Sequence, residues 1–508
     1  MLYYCSTNRS VTLNLNLIIM ANPNINIKYT QIFINNEFVN SVSGKKFPVQ
    51  NPSTEKIIAQ VAEGDKADID KAVKAAKTAF ARASPWRKLK PSERGVLLLK
   101  LADLVERDKT ILASIETLEN GKPFSGAEWE ISATVEFLRY YAGWCDKIHG
   151  STLPSDDGTV VMTRKEPIGV AGQITPWNGP VVITAIKWGP ALAAGCTVIL
   201  KPAEQAPLAI LYLAALSKEA GFPPGVINVV PGYGPTAGAA LAEHPDVAKI
   251  AFTGSVEVGK KIMVAAGNSN LKRVSLELGG KSPFVIFDDV NVEEAAQIAH
   301  EAIFNYSGQI CIAASRVYVH SKIYDAFIKK SKELAIQRKV GDPFDPKTMQ
   351  GPQVEQDIFD RAMKYISIGK KEGATLVTGG ERQGNVGYFI KPTIFSDVTD
   401  DMTIAKEEIF GPVQSILKFD TMEDVIKRAN NTTYGLGAGV LTNDINKALT
   451  FAQAVESGSV WVNQYGAVST TAPFGGYKQS GIGREFGAEG LEQYLETKTI
   501  SIKLTESA

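Results

Sequence analysis

At 508 residues the chain is too long for one hydrophobic core, and its length predicts roughly three domains. Hydrophobic residues make up 44% and charged residues 21%, the balance of a globular protein. The 54 Lys and Arg equal the 54 Asp and Glu, so the basic excess that a nucleic-acid backbone binder needs is missing.

The four cysteines, Cys5, Cys145, Cys196 and Cys311, are widely spaced and form no C-x-x-C pair. That is neither a disulfide framework nor a zinc pattern, and it suits a reducing compartment. Four His without metal spacing argue against a His-based metal site, so no metal is expected. No run approaches the ~20 apolar residues of a membrane helix, so no membrane association is expected.

Residues 1–19 hold one Arg, no acid and a short apolar end. They lack the long apolar core of a signal peptide and the Arg content of a mitochondrial presequence. Met20 is expected to be the usual start, residues 1–19 an upstream extension or weak targeting segment, and 1–26 disordered. A cytoplasmic location is expected, with a mitochondrial one the weaker alternative.

Ile32-Phe33-Ile34 and Phe38-Val39 flank Asn35-Asn36-Glu37, a hairpin pattern. Residues 65–83 carry Ala and Val at helical spacing. Pro91 opens a Leu-rich helix, Asn120-Gly121 stops the following run, and a further helix is predicted over about 127–144. From residue 168 short apolar runs alternate with helical ones. Strands are predicted at 168–174, 197–200, 226–230, 249–252, 274–278 and 284–287. Helices are predicted at 181–194, 208–220, 236–242 and 256–266. This alternation predicts a parallel, doubly wound α/β sheet, the usual home of a nucleotide. It resumes from 291 to about 458, which predicts a second α/β domain. Residues 497–504 alternate like a strand, with no partner evident in the sequence; pairing with another subunit is one expectation.

Cys311 sits on a small, polar, Gly-containing loop after a helical run (293–304) and before a strand-like one (317–320). A nucleophile would be presented there; a buried inert thiol is the commoner fate. Gly232-Tyr233-Gly234-Pro235-Thr236-Ala237-Gly238 joins a strand to a helix, but departs from G-x-G-x-x-G and reads equally as a tight turn. Phe252-Thr253-Gly254-Ser255 also runs from a strand into a helix N-terminus, where free N–H groups favour a phosphate. Lys201 and Glu204 stand at a strand's carboxyl end and suit ribose hydroxyls, or form a solvated surface pair. Glu277 is flanked by Leu and followed by two glycines; such an acid has a raised pKa and suits a general base, unless it faces water. Asn178, in Thr175-Pro176-Trp177-Asn178, can donate to an oxyanion or serve a turn.

Taken in order, seven motifs resemble the NAD(P)-dependent aldehyde dehydrogenases, of the cytosolic retinal-dehydrogenase-like and mitochondrial class, over about 32–504. They are Pro176-Trp177-Asn178, Lys201-Pro202-Ala203-Glu204, Phe252-Thr253-Gly254-Ser255, Glu277-Leu278-Gly279-Gly280-Lys281, Gly308-Gln309-Ile310-Cys311, Glu408-Ile409-Phe410-Gly411-Pro412 and Pro473-Phe474-Gly475-Gly476. The resemblance implies two Rossmann-like α/β domains and a small β oligomerisation domain. Residues 27–148 and 168–279 would bind NAD, 280–480 would be catalytic, and 149–167 with 485–508 would form the oligomerisation segment of a homotetramer built from dimers. It implies Cys311 as nucleophile on a small-molecule aldehyde, Asn178 and the Cys311 N–H as oxyanion donors, and Glu277 as the base that releases the acid. Lys201 and Glu204 would hold the adenosine ribose, and Glu204 would favour NAD over NADP. Ser255 would touch the pyrophosphate; Ile174, Trp177 and Gly234 would lie along the cofactor, with Glu408 and Phe410 on its nicotinamide side. Arg273, Arg484 and Glu496 would form a structural charge network.

The chain departs from the family along the implied substrate tunnel. Gly179 and Val468 stand where aromatics are common, Ile186 where Trp is common, and Asn305 where an aromatic would neighbour the nucleophile; Ala133 is small and Phe474 is retained. Lost aromatics predict a wide tunnel for retinoid, terpenoid or long-chain aldehydes, unless neighbouring side chains fill the space. Two alternatives stay open. One is a catalytically weak structural or binding protein of this fold. The other is a CoA-acylating semialdehyde dehydrogenase, against which Glu277 speaks.

Overall fold

The computed structural model describes residues 21–156 and 158–504. The expectations for residues 1–19 and Met20 lie outside the described residues; of the segment 1–26 expected to be disordered, residues 21–26 are placed, with Asn22 N donating to Ser114 Oγ at 3.1 Å and Ile25 packed against the core.

The N-terminal hairpin pairs Ile32–Ile34 with Glu37–Val39. Asn35 and Asn36 both turn through positive φ (57° and 64°), a conformation Asn tolerates and a two-residue hairpin requires. Asp65 then caps the helix Lys66–Phe80 reciprocally with Asp68. Gly121, at φ 76°, ends the helix Lys109–Asn120, where the sequence placed the stop.

The first large sheet has eight strands. Its order is Gly481–Ile482, Arg273–Glu277, Lys249–Thr253, Val170–Ile174, Thr197–Lys201, Ile227–Val229, Ile32–Ile34 and Glu37–Val39. The five strands from Arg273–Glu277 to Ile227–Val229 are parallel. Val170–Ile174 and Thr197–Lys201 are buried at every residue, because helices cover both faces of such a sheet. The helices Pro180–Ala194 and Leu208–Ala220 both end on left-handed glycines, Gly195 and Gly221. After Val170–Ile174 the chain winds outward through Thr197–Lys201 and Ile227–Val229. It then crosses back to Lys249–Thr253, on the other side of Val170–Ile174. That reversal opens a crevice at the carboxyl ends of the strands, where ligands bind in this class of sheet. The expected helix at 236–242 begins as a wide π turn, Gly234–Gly238, before Ala239–Glu243.

The second sheet has seven strands, all parallel to their neighbours except Thr375–Thr378 at one edge. The expectation for residues 497–504 needs correction. Leu495–Lys503 has a partner within the chain, Thr159–Pro167, from Leu495↔Pro167 to Lys503↔Thr159. Thr152–Leu153 completes this third sheet. The implied charge network divides: Arg273 pairs with Glu496 at 2.6 Å, whereas Arg484 donates to the carbonyls of Gly476 and Gly483.

A buried ion cluster joins the helices Lys109–Asn120 and Phe124–Ala142. The Lys122 side chain, 3% exposed, donates to Glu116 at 2.5 Å and to Glu130, and its ammonium lies 4.6 Å from the Tyr306 ring centroid. Lys122→Met leaves two carboxylates buried without their cation and is expected to cost about 3–5 kcal/mol, read as a lower thermal unfolding midpoint.

Candidate active site

Cys311 owes its position to a strained turn. The helix Val292–Phe304 is capped by Asn291 and stops at Asn305. Tyr306, Ser307 and Gly308 then take φ of 49°, 60° and 72°. Left-handed backbone costs a non-glycine residue about 1 kcal/mol or more, so other contacts must hold the turn. The Ser307 hydroxyl donates to Gly351 O at 2.8 Å, and Gln353 Nε2 donates to Ser307 O at 3.2 Å. Gln309 Oε1 accepts from Val354 N at 3.0 Å. At Gly308 a Cβ would lie 2.0 Å from Gly411 O, so only glycine fits.

Three predicted catalytic residues converge on this loop. Cys311 is partly exposed, and burial of its sulfur, with Glu408 and Glu277 nearby, pushes the thiol up to about 12. Asn178 follows the strand Val170–Ile174 and donates from Nδ2 to Gln309 O at 2.9 Å, two residues before Cys311. One amide hydrogen is thereby used and the second is left for another acceptor. Glu277 ends the strand Arg273–Glu277, is 6% exposed, and its Oε2 has no hydrogen-bond partner. It is no water-facing edge residue. Burial first, then Glu485, holds its carboxyl well above the usual range, while Lys187 and Arg484 pull it down.

Lys187 and Glu485 were not singled out from the sequence. Lys187 Nζ bonds Glu485 Oε1 at 2.6 Å beneath Glu277. A lysine inside the apolar helix Pro180–Ala194 was the available signal for one partner. No local pattern marked Glu485.

Of the residues expected on the cofactor side, Ile174 and Lys201 end adjacent parallel strands and Ser255 begins the helix after a third. Lys201 ends the strand Thr197–Lys201, is 3% exposed and bonds Glu204 Oε2 at 2.8 Å, so the pair is not a solvated surface bridge. Ser255 caps the helix Val256–Asn268, its Oγ accepting from Val258 N. Gly234 has open space where a Cβ would stand. Trp177 meets the Phe410 ring edge-on at 5.5 Å, and Asn120 Nδ2 donates to Trp177 O. Glu408 Oε1 accepts from Gly280 N at 3.0 Å, and burial raises its pKa. Ile174 is buried in the core at its strand's end. The hydroxyls of Thr175 and Thr253, at the carboxyl ends of adjacent strands, are buried without partners. Orphaned hydroxyls, an open glycine, a helix N-terminus and a carboxylate at a strand's end fit a dinucleotide.

The tunnel positions divide. Ala133 is half-buried on the helix Phe124–Ala142, Val468 is 47% exposed, and Phe474 stacks on Phe486 at 5.3 Å. Ile186 lies in the hydrophobic core. Asn305 is exposed and its Oδ1 accepts from Arg338 Nη2 at 3.3 Å. Gly179 precedes the helix Pro180–Ala194; a Cβ there would meet Ile183 Cδ1 at 3.1 Å. Aliphatic side chains therefore take up part of the space beside Gly179.

Among the described residues no three His, Cys, Asp or Glu side chains could together hold a metal ion, and no helix is long and apolar enough to cross a membrane.

The chain is similar to known proteins. Aldehyde dehydrogenase 1A1 of Gallus gallus is 59% identical over 483 residues, covering 95% of each chain. Aldehyde dehydrogenase, cytosolic 1, of Mus musculus is 56% identical over 484 residues, covering 95% of this chain and 97% of its own. The NAD+ complex of aldehyde dehydrogenase from Bacillus cereus superposes with a TM-score of 0.93 at 50% identity, covering 94% of this chain and 97% of that one. The model of the Aldehyde dehydrogenase family matches residues 38–500, and with these relatives it establishes that the chain belongs to that family.

Proposed function

We propose that this protein is an NAD-dependent aldehyde dehydrogenase that forms a carboxylic acid by way of a Cys311 thioester. The observation that carries the reading is the convergence of Asn178 and Glu277 on the loop bearing Cys311. Sγ bonds to the aldehyde carbon, the carbonyl pair moves onto oxygen, and the thiol proton leaves to water. The free Nδ2 hydrogen of Asn178 and the Cys311 N–H receive that oxygen. Lys201, Glu204, Ser255, Gly234, Ile174, Trp177, Glu408 and Phe410 would hold NAD, which when bound supplies the acceptor for the hydride that the sulfur-bearing carbon gives up as the oxygen pair re-forms its carbonyl and leaves the thioester. Glu277 takes a proton from the water that attacks the thioester carbon. The C–Sγ bond then breaks, the acid leaves and the thiol is restored. Lys187 and Glu485 set the protonation of Glu277.

The reading extends to location, assembly and substrate. A cytosolic location follows the relative named cytosolic 1. The sheet of Thr152–Leu153, Thr159–Pro167 and Leu495–Lys503 serves a homotetramer, residues 27–148 with 168–279 bind the cofactor, and 280–480 form the catalytic domain. Gly179, Val468 and Asn305 remove three aromatic walls while Phe474 keeps one, which suits bulky apolar aldehydes, although Ile183 narrows the space beside Gly179. NADH formation with aldehydes from propanal to retinal and farnesal, with identification of the acid, tests both levels. Higher kcat/KM for propanal than for farnesal and retinal would end the wide-tunnel reading. Absence of turnover with every aldehyde would end the enzymatic one.

The electrostatics add a pH prediction. Glu277 must be ionised to act as base, and its pKa is raised, so the rate climbs with pH as its proton is lost. Lys187 lowers that pKa. Lys187→Met is therefore expected to move the acid limb of the kcat profile to higher pH; an unmoved limb would refute the coupling.

A further inference from the structure

Cofactor choice in this fold rests on Glu204 in the reading above, and the inference here rests on that reading. A second carboxylate reaches the chain neighbour of Glu204 from the other half of the molecule. Glu355 stands at the N-cap position of the helix Gln356–Lys371, yet its side chain caps nothing there. It turns toward the first half instead, and its Oε1 accepts from Gln205 Nε2 at 3.0 Å. Gln205 is the neighbour of Glu204 in the chain. Burial, then Asp357 and Glu204, raise the pKa of Glu355, so the charges of Glu204 and Glu355 act on one another.

Each group has an anchor. Glu204 is held by Lys201 at 2.8 Å. The segment leading to Glu355 is laced to the nucleophile loop. Gly351 O accepts from the Ser307 hydroxyl, Pro352 O from Gln309 Nε2, Gln353 Nε2 donates to Ser307 O, and Val354 N donates to Gln309 Oε1. Gln353 N also donates to Tyr388 O at 2.8 Å. Shifting the backbone at Glu355 would disturb the turn that bears Cys311.

We infer that Glu355 is a second determinant of cofactor choice, acting beside Glu204 against the 2′-phosphate of NADP. A ribose held at Glu204 would bring its 2′ substituent close to that carboxylate, and Glu355 reaches the adjoining residue of the same stretch through Gln205. A 2′-hydroxyl is neutral and tolerated, whereas a 2′-phosphate meets two negative charges on fixed supports. Neutralising Glu204 alone leaves the second charge in place.

The test is isothermal titration of the full-length protein with NAD and with NADP, for the wild type, E204Q, E355Q, the double variant and Gln205→Met. Gln at 355 keeps an oxygen to accept from Gln205, so the bridge persists while the charge is lost. Removing one like charge at this range is expected to tighten NADP roughly tenfold in E355Q, with NAD within about twofold. The gain adds to that of E204Q and shrinks at high salt. Gln205→Met, which breaks the bridge but keeps the charge, leaves the NAD to NADP ratio unchanged. An unchanged ratio in E355Q, equal weakening of both cofactors, or NADP binding that never becomes measurable in the double variant would overturn the inference. Wild-type protein that binds no NAD would instead overturn the cofactor reading on which it rests.

Discussion

Cys311→Ala is expected to lower NADH formation by at least about 10⁴-fold with every aldehyde, with NAD affinity within about twofold of wild type. The size of the loss follows from the absence of a substitute among the described residues. Cys145 and Cys196 are buried, and burial pushes both thiols up to about 11. Neither has access or thiolate character. The Cys311 thiol is itself pushed up to about 12, so the loop must offer more than a reactive sulfur. It offers placement, with the Asn178 amide fixed on Gln309 O and the backbone locked between Gly308 and Gly411. Stopped-flow absorbance with and without aldehyde, beside titration with NAD, measures both quantities. Residual turnover above about a hundredth of wild type would mean that the chemistry runs elsewhere.

Glu277→Gln separates the two halves of the reaction. The steady-state rate is expected to fall by about 10²–10⁴-fold, while close to one equivalent of NADH still forms in the first turnover. Attack by Sγ precedes the entry of water, so loss of the water-activating base stalls the enzyme as a thioester. The electrostatics point the same way. The Glu277 carboxylate is one cause of the raised Cys311 thiol, and a neutral Gln removes it, so the first step is not slowed. Rapid-quench detection of acyl-enzyme by mass spectrometry is the direct measurement. Loss of the burst together with the steady state would show that Glu277 also serves acylation.

The residues that carry the resemblance are strongly local in their signal. The runs 208–220 and 293–304 show helical spacing, and the helices run Leu208–Ala220 and Val292–Phe304. Gly121, Gly195 and Gly221 end helices because each can take positive φ. Glu277 between two leucines already implied a buried acid, and its carboxyl is raised. The nucleophile loop was legible as a small polar turn around a thiol, but its handedness was not. Tyr306 and Ser307 have no intrinsic reason to enter the left-handed region; Gly351, Gln353 and the Lys122 cluster hold them there from elsewhere in the chain.

The alternating pattern of the C-terminal strand was visible, yet its partner was not, because Leu495 meets Pro167 across a distance no local pattern spans. The same holds for Lys187 and Glu485, whose contact joins the first sheet's helix to the C-terminal segment beneath Glu277. By itself, then, the sequence determined the secondary elements, the order of the motifs and the family they resemble. Those depend on backbone preference and side-chain period within a few residues. Only the tertiary structure decided which carboxyls are raised, which side chains surround the Cys311 loop, which of the expected tunnel positions are buried, and that Glu355 bonds the neighbour of Glu204. Those properties come from burial and from charges brought together by folding, and neither is written at any single position.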